Sequence, residues 1–246
     1  MRTGRHFLPF CKSLGITLCS ILALITTDAN AAKKIPASKH PISVSVELGA
    51  LQNFSDIKYN TTSTAFNPNS KESTNKLGLT SGLAMTVNLL QRPSYALAAQ
   101  ISAHYNNADV QYQDPLATTD EKSKLNYNLD LSLLPIFHYN AALASFLQFG
   151  LSLGHYRDTL TSPVNLVPGP GIVTTTYTST HTLVGCVIGA GFINKLSPHF
   201  SIYSEYVIHY YGQYNLANFQ NFTVSYTHAN ILYNQELVFG LTYQIT

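Results

Sequence analysis

The chain has 246 residues, 14 Lys and Arg against 12 Asp and Glu, and three cysteines. Arg2, Arg5, Lys12 and Asp28 all lie in the first 31 residues; without them the remaining 215 carry eleven charges of each sign, which excludes the basic footprint of a nucleic-acid binder. Cys11 and Cys19 lie there too, so the rest of the chain keeps only Cys186 and can form no internal disulfide.

Those 31 residues read as an export signal. Basic residues precede the apolar run SLGITLCSILALITT, and Ala29–Ala31 supply the small residues a signal peptidase reads. Cys19 follows the bulky Leu18, which argues against a lipoprotein. The expected organisation is a signal peptide over 1–31, a short periplasmic N-terminal segment over 32–40, and one β-barrel domain over 41–246. No later run of eighteen apolar residues could cross a bilayer as a helix.

From Pro41 onward the sequence alternates with a period of two, the signature of strands with one apolar face. Ile42, Val44, Val46 and Leu48 oppose Ser43, Ser45 and Glu47 in the first segment. Leu77, Leu79, Leu83, Met85, Val87 and Leu89 oppose Gly78, Thr80, Gly82 and Ala84 in the second. The third and fourth follow in YALAAQISAHY and KLNYNLDLSLL, and the fifth and sixth in ALASFLQFGLSLGHY and LVGCVIGAGF. FSIYSEYVIHY and ELVFGLTYQI complete eight strands. The connections at Gln91–Ser94, Pro135–Ala141 and Lys195–His199 are short. Ser55–Lys71, Asn106–Glu121, Arg157–Thr182 and Tyr211–Asn230 are long and polar, and the two kinds alternate.

Each strand reaches the roughly nine to eleven residues that a membrane crossing needs. In hydrocarbon every backbone donor must be paired, so a sheet crosses only if it closes on itself. The expected fold is all-β: an eight-stranded antiparallel up-and-down transmembrane β-barrel with short periplasmic turns and four long extracellular loops. Side-chain size sets which face is inside. Gly, Ala, Ser and Thr suit the concave wall of a tight barrel, whereas Leu, Ile, Phe and Tyr are too bulky to converge there. The alternative, a soluble lipocalin-type barrel, would place the apolar face inside. The tyrosines at 95, 105, 127, 206, 210 and 243 share the outward parity, mostly towards strand ends, as an interfacial girdle requires. Continuation of Gly171–Thr182 as a strand above the membrane is expected, and its Thr-rich outward face opposes a ten-stranded barrel.

Most strand charges take the inward parity: Glu47, Asp130 and Glu205 nearer the short turns, His104, His209 and Glu236 further up, Lys76 and Lys124 near the rim. They read as a lumenal polar network in which carboxylates pair with Lys76, Lys124 or a protonated histidine. His209 and Glu236 are expected to face each other across neighbouring strands. Ser204 and His209 have opposite parity, which defeats a nucleophile–base dyad. The remaining histidines lack metal-ligand spacing. No catalytic residue, cofactor or metal site is expected, and Cys186 is expected to act as a small lipid-facing hydrophobe.

The chain resembles the small eight-stranded outer-membrane β-barrels of Gram-negative bacteria, in layout the OmpA transmembrane domain and the opacity-type surface antigens, over Pro41–Thr246. VFGLTYQIT supplies Gly240, Tyr243 and Ile245 at the intervals of the C-terminal assembly signal. Val238 stands where that pattern has a polar residue, and Thr246 replaces the terminal aromatic. The resemblance implies insertion by the barrel-assembly machinery into a membrane of phospholipid and lipopolysaccharide, as a monomer without a peptidoglycan-binding module. It further implies a structural barrel and surface antigen whose loops face the cell exterior and carry any adhesive contact with a host or cell-surface ligand. A narrow pore or ion path through the lumen is the alternative, and a lipid-modifying enzyme a more remote one.

Overall fold

The computed structural model describes residues 41–61, 76–114, 119–165, 172–221 and 224–245. The signal peptide, the 32–40 segment and the Pro168–Gly171 turn lie outside them. Eight strands follow one another: β1 (Ile42–Thr61), β2 (Lys76–Gln91), β3 (Tyr95–Asp114), β4 (Thr119–His138), β5 (Leu143–Asn165), β6 (Ile172–Lys195), β7 (Phe200–Asn221) and β8 (Val224–Ile245). Each pairs antiparallel with its neighbours, and β1 pairs with β8 to close the barrel.

The short turns are held by side chains. Asn140 Oδ1 accepts from the N–H groups of Ala142 and Leu143, both at 2.8 Å, and Ser197 Oγ accepts from His199 at 3.3 Å and Phe200 at 3.0 Å. Such local bonds let Asn and Ser fold a chain back within a few residues.

The apolar face is outside. Leu48, Leu79, Leu131, Leu151, Val184 and Phe239 are exposed, while Glu47, Asp130, Glu205 and Glu236 are buried. That is the reverse of a lipocalin-type barrel, and it suits a leucine face wetted by acyl chains. Where side chains are described, the exposed large apolar residues lie mostly in the half of each strand next to the short turns, Tyr127–Phe137 on β4 and Leu237–Ile245 on β8, while on β2 they run on to Leu77. Tyr105, Tyr127 and Tyr139 are exposed at the edges of that half.

The strands are 16 to 24 residues long, about twice a membrane crossing. Where they are described, the long connections are strand. Asn165↔Ile172 still pair at the far end of the β5–β6 hairpin, and Thr61↔Tyr226 pair β1 with β8. The wall does not stay closed at that height. Described pairing of β6 with β7 stops at Cys186↔Tyr210, and that of β2 with β3 at Thr80↔Asn106. Above the apolar band the described strands form two sheets, β3-β4-β5-β6 and β7-β8-β1.

A register shift between Leu125 and Tyr127 leaves Asn126 as an extra residue on β4. One extra residue exchanges the two faces of everything beyond it. Leu125, expected outside, is fully buried against Leu51 and Ala108. Lys124, expected in the lumen, is correspondingly outside, with Nζ 6.0 Å from the centroid of the outward Tyr105 ring. Cys186 keeps the outward parity between its register partners Leu151 and Tyr210, but it is buried there.

Candidate functional site: the lumenal polar layer

The lumen is stacked in three layers. Next to the short turns, Ala96, Ala98, Leu134, Ile136, Ala144, Phe146 and Tyr203 form an apolar cluster. At the height where the membrane band ends, Leu51, Ala108, Leu125, Tyr156 and Tyr211 form a second. Between them lie Glu47, His104, Asp130, Glu205, His209 and Glu236, all buried.

The middle layer has two hubs. Glu47 accepts a hydrogen bond from the Tyr203 hydroxyl and pairs with Nε2 of His104. The register shows how these distant residues meet. Tyr203, Gly240, Glu47, Gly82 and His104 are successive cross-strand partners on β7, β8, β1, β2 and β3. The two glycines leave room for the rings to lie across them: a Cβ on Gly240 would sit 2.1 Å from Cε1 of Tyr203, and one on Gly82 2.1 Å from Cδ2 of His104.

Asp130 is the second hub, set between its cross-strand partners Ser102 and Ser152. Ser152 donates to Oδ1 at 2.5 Å, Asn128 Nδ2 to Oδ2 at 3.1 Å, and Ser102 approaches Oδ2 at 3.5 Å. His209 Nε2 lies 3.0 Å from the same oxygen, and its Nδ1 lies 3.6 Å from Glu236. Asn128 reaches His104 Nδ1 at 3.4 Å and so joins the hubs. Glu47, Asp130 and Glu236 thus meet imidazoles. Lys76 sits opposite Asn53 in the register at the top of β2.

Three contributors were hidden in the sequence. Tyr211 is an extra residue between the pairs Tyr210↔Tyr233 and Gly212↔Leu232. Gly212 has φ 74°, a conformation that glycine adopts without strain, and the bulge puts Tyr211 in the lumen. There it bonds Ser152 at 2.9 Å and meets Tyr156 edge-on at 5.5 Å. The buried Asp158 lies 3.5 Å from His181 in a segment expected to be loop. Asn53, Asn106, Asn128 and Asn234 are all buried; of these only Asn128 lay in a segment whose inward parity was read, and Asn106 fell in an expected loop.

Ser152 donates to a carboxylate instead of to an imidazole, whereas a catalytic serine needs a base beside it. Among the described residues no group of three His, Cys, Asp or Glu side chains is placed to hold a metal ion. At the C-terminal strand Gly240 is buried, while Tyr243 and Ile245 are exposed on the apolar face. Gly240 therefore has a packing role in the folded barrel as the socket of Tyr203.

Fold and lumen define a closed eight-stranded antiparallel barrel of the membrane-spanning type. Neither a protein-family model nor a curated protein matches the sequence. Solved structures with similar folds include Ail, the attachment invasion locus protein of Yersinia pestis, at 12% identity over 84% of this chain and 100% of that one, with a TM-score of 0.39. Neisserial surface protein A is 16% identical over 82% and 97%, with a TM-score of 0.40. OprG of Pseudomonas aeruginosa is 12% identical over 84% and 97%, with a TM-score of 0.48. The likeness is one of barrel layout.

Proposed function

We propose that the chain is an outer-membrane barrel of a Gram-negative bacterium whose strand extensions form a recognition surface at the cell exterior, with a sealed lumen that serves stability. The observation that carries this reading is the mismatch between strand length and apolar band: every strand but β2 has 20 or more residues, yet on β4, where side chains are described beyond the band, the exposed apolar residues run only from Tyr127 to Phe137. The β5–β6 hairpin shows exposed Thr176, Thr178, Thr180 and Thr182, and in the described pairing β6 has an open edge above Cys186. An unpaired strand edge offers backbone donors and acceptors to a partner. The Asn- and aromatic-rich extension of β7 and β8 adds the residue mixture of adaptable binding surfaces.

In this reading residues 1–31 are removed on export, 32–40 remain in the periplasm, and 41–246 are inserted as a monomer by the barrel-assembly machinery among phospholipid and lipopolysaccharide. The exposed threonines of the β5–β6 hairpin and the balanced charge of residues 32–246 favour a host or cell-surface ligand over nucleic acid, in the manner of the opacity-type antigens. The apolar layers above and below the acids support a closed lumen over a pore, and the Ser152–Asp130 geometry supports a non-enzymatic role. Intact cells displaying the protein should bind host matrix or epithelial cells, and deletion of Val164–Thr182 should abolish binding while heat-modifiable gel migration persists. Cleavage of the extensions by protease on whole cells fixes the orientation; undiminished binding after the deletion would exclude the β5–β6 hairpin as the recognition surface.

A further inference from the structure

The bulge at Asn126 gives the outer face of β3, β4 and β5 a charge arrangement that strand pairing alone does not favour. Lys124 and Arg157 stand directly opposite each other on β4 and β5, and like charges so placed repel. The one described acid on this face, Asp109, is the β3 partner of Lys124, yet its carboxylate is taken by Lys122 Nζ at 2.6 Å. Lys124 turns instead to the Tyr105 ring, and among the described residues neither it nor Arg157 makes an ion pair. Two positive charges are left side by side.

Their height along the barrel points to what meets them. On β3 and β4 the exposed apolar side chains end at Tyr105 and Tyr127, and Tyr127 stacks on its β5 partner His155 at 4.7 Å. Arg157 lies two residues beyond His155, a climb of about 5 Å at a strand tilt of about 40°. The headgroup layer on each side of a bilayer is about 5–8 Å deep, so the pair sits within it and faces lipid. The acids that follow on β4, Glu121 and Asp120, lie about 8–10 Å further out. Hydroxyls flank the pair: Thr180 is the β6 partner of Arg157, and Thr182 bonds His155 at 3.3 Å, both threonines being exposed.

We infer that Lys124 and Arg157 form a binding site for the phosphorylated sugar headgroup of a glycolipid in the outer leaflet. The site rests on the exterior orientation proposed above, which brings lipopolysaccharide to this end of the barrel. Two oxygens of one phosphate would take the guanidinium fork of Arg157, and the Lys124 ammonium would add the second charge. The anion turns the repulsion between the two cations into a shared contact, while Thr180 and His155 are placed for sugar hydroxyls. The bulge creates the site, since without it Lys124 would point into the lumen.

The test uses the full-length barrel folded in phosphatidylcholine nanodiscs that carry increasing amounts of diphosphoryl lipid A. Backbone amides of Lys124, Tyr127 and Arg157 should shift saturably, and that of Lys195 in the short turns should not. Lipid A stripped of both phosphates should leave them unmoved, and phosphatidylglycerol at equal negative charge should bind more weakly. Lys124→Gln and Arg157→Gln should each weaken binding of diphosphoryl lipid A about fivefold, and together about thirtyfold, the effect of one and two basic residues at an anionic surface. Asp109→Asn, which releases Lys122 from its pair, should tighten binding, and Lys195→Gln should leave it unchanged. Heat-modifiable migration reports whether each variant folds. Absence of saturable shifts, or full binding by the double variant, overturns the site. Equal binding of phosphatidylglycerol overturns the choice of a glycolipid, because it would show attraction to any anionic surface. The discs carry lipid A in both leaflets, so these outcomes do not depend on orientation in the cell; extensions protected from protease on whole cells would instead overturn the exterior reading.

Discussion

Replacing Leu131 by arginine tests the placement of the barrel most directly. Leu131 is 60% exposed, next to Leu151 at 61% on β5, in the middle of the outer apolar band. An antiparallel strand rises about 3.4 Å per residue, and at a tilt of about 40° each residue climbs about 2.6 Å along the barrel axis. The ten steps from Tyr127 to Phe137 therefore span about 26 Å, close to the roughly 25 Å apolar band of outer-membrane barrels. Leu131 lies four steps from Tyr127, about 10 Å inside one boundary and within about 3 Å of the midplane. An arginine on the lipid face costs about 2–4 kcal/mol at the midplane and about 0–1 near the interface. Ser81, exposed and paired with Tyr105 at the band edge, provides the interfacial control.

The assay is reversible urea unfolding in phosphatidylcholine vesicles, with the folded fraction read from gel migration, since the chain has no tryptophan. Leu131→Arg should lose about 2–4 kcal/mol, and Ser81→Arg no more than about 1 kcal/mol. An exposed leucine in water would tolerate arginine within about 0.5 kcal/mol. Equal and small losses at both positions would refute a lipid-wetted leucine face, and the membrane reading with it.

Three further outcomes follow from the lumen. Asp130→Ala strips an acceptor from Ser152, Asn128 and His209 at once and should cost about 3–5 kcal/mol, the range for breaking a buried charged pair. Asp130→Asn keeps shape and one acceptor and should cost clearly less in the same urea titration. Gly240→Ala places a Cβ 2.1 Å from the Tyr203 ring and should cost about 1–3 kcal/mol by overpacking; added to Tyr203→Ala it should cost almost nothing more, and additive losses would reject the socket. In planar bilayers the wild-type barrel should be electrically silent, because Leu51, Leu125, Tyr156 and Tyr211 close the lumen above the acids; a steady conductance that changes on substituting Asp130 or Glu205 would show an open path.

Strand number, pairing sense and the inward set Glu47, His104, Asp130, Glu205, His209 and Glu236 were legible because lipid imposes one rule on a whole face. A single polar side chain in hydrocarbon is costly enough that the alternation survives over ten residues. Beyond the membrane edge both faces meet water, the alternation has no such enforcer, and strand reads as loop. That is where Tyr211 and Asp158 were hidden and where the described pairing of β6 with β7 ends. Lys124 failed for a different reason. Parity counting assumes an unbroken ladder, and nothing in KSKLNYNL marks Asn126 as the residue at which it breaks. Partner choice was also illegible: that Asp130 sits between Ser102 and Ser152 depends on register, which eight strands fix jointly and no single strand contains.

The lumen also explains why the middle layer, with the buried acids Glu47, Asp130, Glu205 and Glu236, contains no arginine among the described residues. An arginine bridges acids by length. Here rings do so, and they need flat clearance across the neighbouring strand. Glu47 reaches β7 and β3 because glycines stand on β8 and β2 between them, and the path crosses the β8–β1 seam that closes the barrel. Asp130 ties β4 to β3, β5 and β7. The inward face of β6 supplies the complementary emptiness. A Cβ on Gly185 or Gly191 would meet Tyr211 or Phe146 within 2.8 Å, and one on Gly189 would meet Gln148 at 2.9 Å. The glycine-rich face that reads as featureless in the sequence is therefore the mould for the largest side chains in the lumen. Its tolerance to substitution should follow ring clearance and not helix or strand propensity: β6 alanines should be costly at positions where the strand surface faces no solvent and no lipid, since a ring already occupies the space.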